Sequence, residues 1–220
     1  MNGVSLDWNR IDTALLDLDG TLLDLHYDNY FWLEYIPKRW AEENGGTEEE
    51  CRRHLHLSYD DMRGTLDWYC LDYWSDRLNL DVVALKREVQ EKIALRPDAE
   101  RFLDFLRAEG KQVILVTNGH RDGMDIKLGA TGIAEKFDEI VSSHDFGVPK
   151  ENQPFWQQLQ VLHPFDLGRT LFVDDNLAVL QSARTYGIQD LLQILQPDMK
   201  GPAQPLSQFP AIHHFHEILS

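Results

Sequence analysis

Short apolar runs that stop at polar residues, separated by stretches of helical periodicity, constrain this chain more than any other feature. The runs occupy 13–18, 112–116, 170–173 and 190–194, with a weaker one at 139–142. Continuous apolar runs of this length read as strands buried on both faces. Between them lie helical patterns at 97–109, opened by Pro97 and closed by Gly110; at 122–131; at 152–162; and at 176–186, closed by Gly187. Strand and helix in regular alternation predict an α/β, doubly wound, parallel-sheet core of Rossmann type.

Residues 24–95 break that rhythm, with helical periodicity and no convincing strand, so they read as an inserted helical subdomain. The expected division is therefore a core of 1–23 and 96–220 and an insert of 24–95. Aromatic residues concentrate in the insert, among them Tyr30, Trp32, Trp40, Trp68 and Trp74. Most are expected to form its own small core. The tail, 199–220, carries Pro202, Pro205 and Pro210 and is expected to run over the surface before a short final helix. His213, His214 and His216 are read there as a surface cluster rather than a metal site, because no acidic or cysteine partner stands at ligand spacing.

Thirty-seven acidic residues against 21 basic ones give a net charge of −16. That charge repels nucleic acid and anionic lipid, and no basic patch offsets it. Two cysteines, Cys51 and Cys70, are too few for a disulfide framework in 220 residues. No stretch approaches the roughly 18–20 apolar residues of a membrane span, and the first ten residues lack a signal peptide's apolar centre. The cytoplasm is the expected compartment. If the substrate is anionic, the site must supply positive charge that the rest of the surface lacks.

Ligands of open α/β sheets bind at the carboxyl ends of strands, so the residues after each run matter most. The first ends in Asp17-Leu18-Asp19-Gly20-Thr21, the second in Thr117-Asn118 and the fourth in Asp174-Asp175, while Lys150 stands just before the helical pattern at 152–162. Carboxylates converging from separate parts of the chain repel one another unless a hard cation lies between them, and Mg²⁺ suits that place. Mg²⁺ and Lys150, helped by backbone N–H groups, would make the site attractive to a phosphate. Phosphoryl transfer then needs only an in-line nucleophile, which an aspartate can be, and a proton donor for the leaving oxygen.

The segment Asp17-Leu18-Asp19-Gly20-Thr21-Leu22 is similar to the DxDGT(L/V) signature of haloacid dehalogenase superfamily phosphatases, and Thr117, Lys150 and Asp174-Asp175 match the family's later motifs in order and spacing. The resemblance implies that Asp17 is the nucleophile and Asp19 the acid, then the base. It gives Thr117, Asn118 and Lys150 to the phosphate. Mg²⁺ falls to Asp17, Asp175 and the Asp19 carbonyl, with Asp174 serving the metal through water or from behind the direct ligands. The insert takes the place of the family's C1 cap, which selects substrate. Cap segments such as Asp28-Asn29-Tyr30-Phe31-Trp32 and Trp68-Tyr69-Cys70-Leu71-Asp72-Tyr73-Trp74, with Val148-Pro149-Lys150-Glu151 in the core, resemble the bacterial GMP/IMP nucleotidase branch. A purine nucleoside monophosphate is the substrate so implied, and Tyr30, Trp32 and Trp68 are the rings singled out to meet it.

Alternatives keep the scaffold and change the chemistry: a phosphatase for phosphoglycolate or a sugar phosphate, a phosphomutase, a hydrolytic dehalogenase, or a non-catalytic binding protein. Asp19 opposes the dehalogenase, since halide departure needs no proton donor. His120 is expected to cap the following helix rather than to reach the phosphate.

Overall fold

The computed structural model describes residues 4–62 and 64–219. Its sheet has six parallel strands in the order β3-β2-β1-β4-β5-β6. They are β1 (Thr13–Leu16), β2 (Gln112–Thr117), β3 (Glu139–Ser142), β4 (Thr170–Asp174), β5 (Asp190–Ile194) and β6 (Ala211–Ile212).

Side chains alternate across the pleat, and the strand sequences place apolar residues at both parities. Ala14, Leu16, Val113, Leu115, Leu171 and Val173 belong to one buried cluster, together with Phe102 and Leu106 of α7 (Ala99–Ala108) and Met124 and Leu128 of α8 (Arg121–Thr131). Leu15, Ile114, Val116 and Phe172 belong to the other, with Trp156 and Leu159 of α9 (Gln153–Leu162) and Leu180 and Ala183 of α10 (Leu177–Tyr186). This two-sided burial makes the strands read as unbroken apolar runs. Truncating a central residue such as Leu15 to Ala would cost about 2–5 kcal/mol.

The chain leaves the core after β1 and returns before α7. Leu23 forms an antiparallel bridge with Leu95, and the Asp24 N–H donates to the Ala94 carbonyl at 2.9 Å. Between these strands of chain lie α1 (His26–Tyr30), α2 (Ile36–Asn44), α3 (Glu48–Met62), α4 (Leu66–Tyr69), α5 (Leu71–Leu78) and α6 (Val82–Glu88). Tyr27, Phe31, Ile36, Leu71, Trp74 and Leu85 form a third cluster, the insert's own core. A π turn, Phe31–Tyr35, joins α1 to α2. Pro37 near the start of α2 would set its ring against the residue-33 carbonyl in a regular helix, and the wider turn avoids that clash.

The tail departs from expectation. Residues 211–212 add β6 to the sheet, while the short final helix is present as a 3-10 helix, Phe215–Ile218. Phe215 stacks on Phe102 with ring centroids 4.5 Å apart, so this part of the tail is packed into the core instead of running over it. Arg96 secures it, donating to the His213 carbonyl at 2.8 Å and to the Pro197 carbonyl at 3.2 Å. No helix among the described residues is long and apolar enough to cross a membrane.

Candidate active site

The strands end level because Leu16 pairs with Leu115 on one side and Val173 on the other. Asp17, Val116 and Asp174 are the next residues outward. Lys150, in the turn before α9, brings Nζ to all three: it donates to Asp17 Oδ1 at 2.6 Å, Asp174 Oδ2 at 2.8 Å and the Val116 carbonyl at 3.0 Å. The lysine is 2% exposed, and three acceptors match the three donors of a buried ammonium. Burial opposes its charge, but Asp17 and Asp174 outweigh burial and hold it protonated.

Oxygens of Asp17, Asp174 and Asp175 lie within 4.8 Å of one another. Both oxygens of Asp174 are engaged, Oδ2 by Lys150 and Oδ1 by the Asn176 N–H at 2.7 Å. Asp175 has no such ion pair among the described residues. It lies against Gly20, whose φ is +83° and where an added Cβ would come within 2.8 Å of Asp175 Oδ2. The hydroxyl of Thr21 is buried without a hydrogen-bond partner. Burial raises the Asp17 carboxyl to about 6, with Lys150 pulling it down and Asp174 pushing it up. Burial, then repulsion from Asp174 and Asp17, pushes Asp175 well above the usual range. One lysine thus faces three carboxylates, and the excess of hard oxygen donors fits a divalent cation.

Asp19 faces the other way. Its Oδ1 receives Lys127 Nζ of α8 at 2.6 Å, and the same ammonium reaches Asp28 Oδ2 of α1 at 2.7 Å. Asp28 Oδ1 in turn receives Lys86 Nζ of α6 at 3.0 Å. An alternating row of charge therefore runs from the core into the insert. Burial raises Asp19 to about 6 against the pull of Lys127 and with a push from Asp28. For Asp28 burial also pushes upward, but its two lysines outweigh it and hold the carboxyl at about 2. Lys86 packs with its ammonium 4.4 Å from the Phe31 ring centroid and 5.0 Å from that of Tyr27, a cation–π setting.

The Thr117 hydroxyl accepts from the Gly119 N–H at 3.0 Å. The Asn118 side chain is committed elsewhere: Nδ2 donates to Glu151 Oε2 at 2.9 Å and Oδ1 accepts from the Lys150 N–H at 2.9 Å. It braces the lysine turn. Tyr69 of α4 donates to Glu151 Oε1 at 2.8 Å, joining insert and core a second time. His120 accepts the Asp122 N–H on Nδ1 at 3.4 Å and caps α8.

Between insert and core lies a cavity of about 410 Å³ with Asp19 and Lys127 on the core side and Trp32, Trp68 and Asn29 on the insert side. Its size suits a small ligand. Tyr30 is not in its wall and instead stacks with Tyr35 at 6.1 Å, beside Lys92. Lys127, Asp28, Lys86, Tyr69 and Glu151 were not among the expected site residues. A signal existed for Lys127, which shares a helix face with the apolar Met124 and Leu128.

An aspartate at the end of the central strand, clamped by a buried lysine on a doubly wound sheet that is interrupted after its first strand, defines a class of hydrolase. The chain belongs to the haloacid dehalogenase-like hydrolase family, whose model matches residues 11–187. Within that class it is similar to GMP/IMP nucleotidase YrfG of Escherichia coli (strain K12), 39% identical over 216 residues that make up 98% of this chain and 97% of the relative. It is more distantly similar to (S)-2-haloacid dehalogenase 2 of Pseudomonas sp. (strain CBS-3), 24% identical over 194 residues and 82% of each chain. A solved HAD phosphatase from Thermococcus onnurineus shares the fold, with a TM-score of 0.79 at 20% identity over 94% of this chain and 95% of that one.

Proposed function

We propose that this hydrolase is a Mg²⁺-dependent purine 5'-nucleotidase that cleaves GMP and IMP to nucleoside and phosphate through an aspartyl-phosphate on Asp17. The observation that carries the reading is a single cavity lined by Asp19 from the core and by Trp32 and Trp68 from the insert. That arrangement suits an ester with a phosphate at one end and a flat apolar group at the other. The 39% identity with a GMP/IMP nucleotidase across nearly the whole chain supports the purine. Cys51 and Cys70 are free thiols, which supports the cytoplasm as its compartment.

Asp17, Asp175 and the Asp19 carbonyl would hold the Mg²⁺, with Asp174 bracing Lys150 behind them. When bound, the ion neutralises the carboxylates and the phosphate oxygens so that the two anions can meet. A carboxylate oxygen of Asp17 attacks phosphorus and the P–O bond to the sugar breaks. Asp19, lifted to about 6 by burial, is poised to protonate the departing oxygen. Its carboxylate then takes a proton from water, the water oxygen attacks phosphorus, and the Asp17–phosphate bond breaks. Lys150 holds Asp17 throughout, and Thr117 with the backbone of Asn118 offers hydrogen bonds to the phosphoryl oxygens. Asp19 disfavours a dehalogenase reading, because a departing halide takes no proton.

The test is phosphate release from nucleoside monophosphates, sugar phosphates and phosphoglycolate, each with Mg²⁺ and with EDTA. Mg²⁺-dependent preference for GMP and IMP is expected. Preference for another ester would overturn the substrate and keep the chemistry, and no release from any of them would overturn both.

A further inference from the structure

At the seam where the insert meets the core, Cys70, His120 and His144 bring a sulfur and two ring nitrogens within 4.8 Å of one another. The three come from separate elements. Cys70 occupies the extended residue between α4 and α5. His120 precedes α8, and His144 lies in the 3-10 turn that follows β3. The imidazoles meet edge to face, with centroids 4.9 Å apart and planes at 76°. None of the three belongs to the carboxylate set of Asp17, Asp174 and Asp175.

His144 Nε2 is buried and has no hydrogen-bond partner. An unmatched buried ring nitrogen carries a desolvation cost that folding leaves standing unless something binds it. His120 accepts the Asp122 N–H on Nδ1 at the long distance of 3.4 Å, which leaves the ring proton on Nε2, 3.7 Å from Asp72 Oδ2; moving that proton to Nδ1, at the expense of the long cap contact, frees the Nε2 lone pair. The seam therefore offers the unengaged His144 nitrogen, a thiol and, in its other tautomer, His120, with the Asp72 carboxylate at the rim, where its side chain is 77% exposed.

We propose that Cys70, His120 and His144 form a second metal site, selective for Zn²⁺ or a similar thiophilic transition-metal ion, and that its occupancy pins the insert to the core and inhibits turnover. One thiolate and two imidazoles are a donor set for such a metal, while Mg²⁺ prefers oxygen and binds here poorly. Bonds of about 2.0–2.3 Å around a tetrahedral ion require the donors to close up from their present spread, which side-chain rotation at a seam can supply. Asp72 or a water takes the fourth position. Binding releases the Cys70 proton as the S–Zn bond forms. The net charge of −16 draws divalent cations to the surface generally, and the sulfur and nitrogen donors select among them. Because one ligand belongs to the insert and two to the core, the ion ties together parts that must separate to admit substrate and release product. The site stands on its own geometry. Only the inhibition rests on the phosphatase reading above.

The experiment uses Co²⁺ as a spectroscopic probe on the full chain with Mg²⁺ in large excess, so that the carboxylate site is filled. One equivalent of Co²⁺ is expected to give a near-ultraviolet thiolate-to-cobalt charge-transfer band and the visible bands of a tetrahedral ion. Cys70→Ser should abolish the first, His144→Gln should weaken binding by at least about tenfold, and Asp175→Asn should keep the spectrum. Absence of the band from the unaltered chain, or its survival in Cys70→Ser, overturns the site. In parallel, Zn²⁺ titrated into the Mg²⁺-supported reaction should inhibit, with Cys70→Ser and His144→Gln retaining Zn²⁺-free activity and needing about tenfold more Zn²⁺ for the same effect. Equal Zn²⁺ sensitivity of all three proteins overturns the inhibitory role whatever the substrate proves to be. Since the spectrum does not depend on turnover, failure of the metal site and failure of the nucleotidase reading are separately visible.

Discussion

Lys127 Nζ stands 2.6 Å from Asp19 Oδ1 and 2.7 Å from Asp28 Oδ2, so the residue proposed to move the proton shares its counter-ion with the insert. Lys127 lowers the Asp19 pKa, which burial has raised to about 6. Lys127→Met should therefore lift Asp19 further and carry the basic limb of the kcat/KM profile upward by about 1 to 3 pH units. It should also cost about 3–5 kcal/mol of stability at neutral pH, because buried Asp19 loses its ion-pair partner and Asp28 keeps only Lys86. Lys127→Arg should restore most of the profile. A pH–rate series on the three proteins, alongside denaturant melts, checks both effects; an unchanged basic limb in Lys127→Met would detach Asp19 from that titration.

The two-step chemistry separates Asp17 from Asp19. Asp17→Asn keeps the shape and removes the nucleophile, and turnover is expected to fall by at least about 10⁴-fold. Asp19→Asn should cost about 10²–10⁴-fold, the usual worth of a positioned acid–base group. It should also slow hydrolysis of the acyl-phosphate enough for rapid quench and peptide mass spectrometry to catch phosphate on the peptide bearing Asp17. Covalent phosphate found on any other peptide would reject Asp17 as the nucleophile.

Much of this architecture was legible in the sequence because strands buried on both faces leave unmistakable apolar runs, and the polar residues that end them lie at one sheet edge. Asp17, Thr117 and Asp174 could be placed at that edge on this basis, and Lys150 joined them as the residue before the helical pattern at 152–162. Lys127, Asp28 and Lys86 could not, since a lysine on a helix ordinarily reads as solvent-facing and its burial depends on which carboxylate the insert brings to it. The same holds for Tyr69 and Glu151, which meet across 82 residues. β6 was invisible for a different reason: two residues after a proline carry no period. Asn118 shows the opposite limit, where the right residue was expected but its side chain braces Glu151 and the Lys150 backbone.

Asp17 and Asp19 each titrate near 6, against 3.8 for an unperturbed aspartate. Between those values the folded chain binds more protons than the unfolded one, so ionising them costs stability as pH rises. The penalty is absent below 3.8 and complete above 6. A cation among Asp17, Asp174 and Asp175 removes part of it. Mg²⁺ should accordingly raise Tm more at about pH 7.5 than at about pH 5, where protons compete for the same oxygens. Thermal melts with Mg²⁺ and with EDTA at both values decide this, and a larger shift at the lower pH would contradict the assigned titrations.

Gly20 holds the loop after β1 at φ +83°, and an added Cβ would stand 2.8 Å from Asp175 Oδ2 and 2.9 Å from Pro197 Cβ. Alanine there strains the backbone by about 1–3 kcal/mol and displaces Asp175, the carboxylate of the cluster that has no ion pair with Lys150 among the described residues. Gly20→Ala should therefore raise the Mg²⁺ concentration needed for half-maximal activity by more than it raises KM for the substrate. Activity measured across a Mg²⁺ series distinguishes this from simple loss of fold, which would lower the plateau without moving the midpoint.

Trp32, Trp68 and Trp74 all line the cavity that Asp19 also borders, but Trp74, between the other two with centroids 5.7 Å and 6.1 Å away, is the most buried of them and belongs to the insert's core. If the two outer rings meet a purine, Trp68→Leu should raise KM for GMP and IMP by the roughly 0.5–1.5 kcal/mol that an aromatic contact contributes, about 2- to 12-fold, with kcat little changed. A small phosphoester without a base has no flat group for the ring, and its KM should stay where it is. Trp74→Leu instead opens the insert's core and should lower stability by about 2–4 kcal/mol, affecting all substrates alike. Kinetics on both ester types for the two variants therefore separates recognition from packing, and equal KM changes for both esters in Trp68→Leu would remove that ring from the substrate's path.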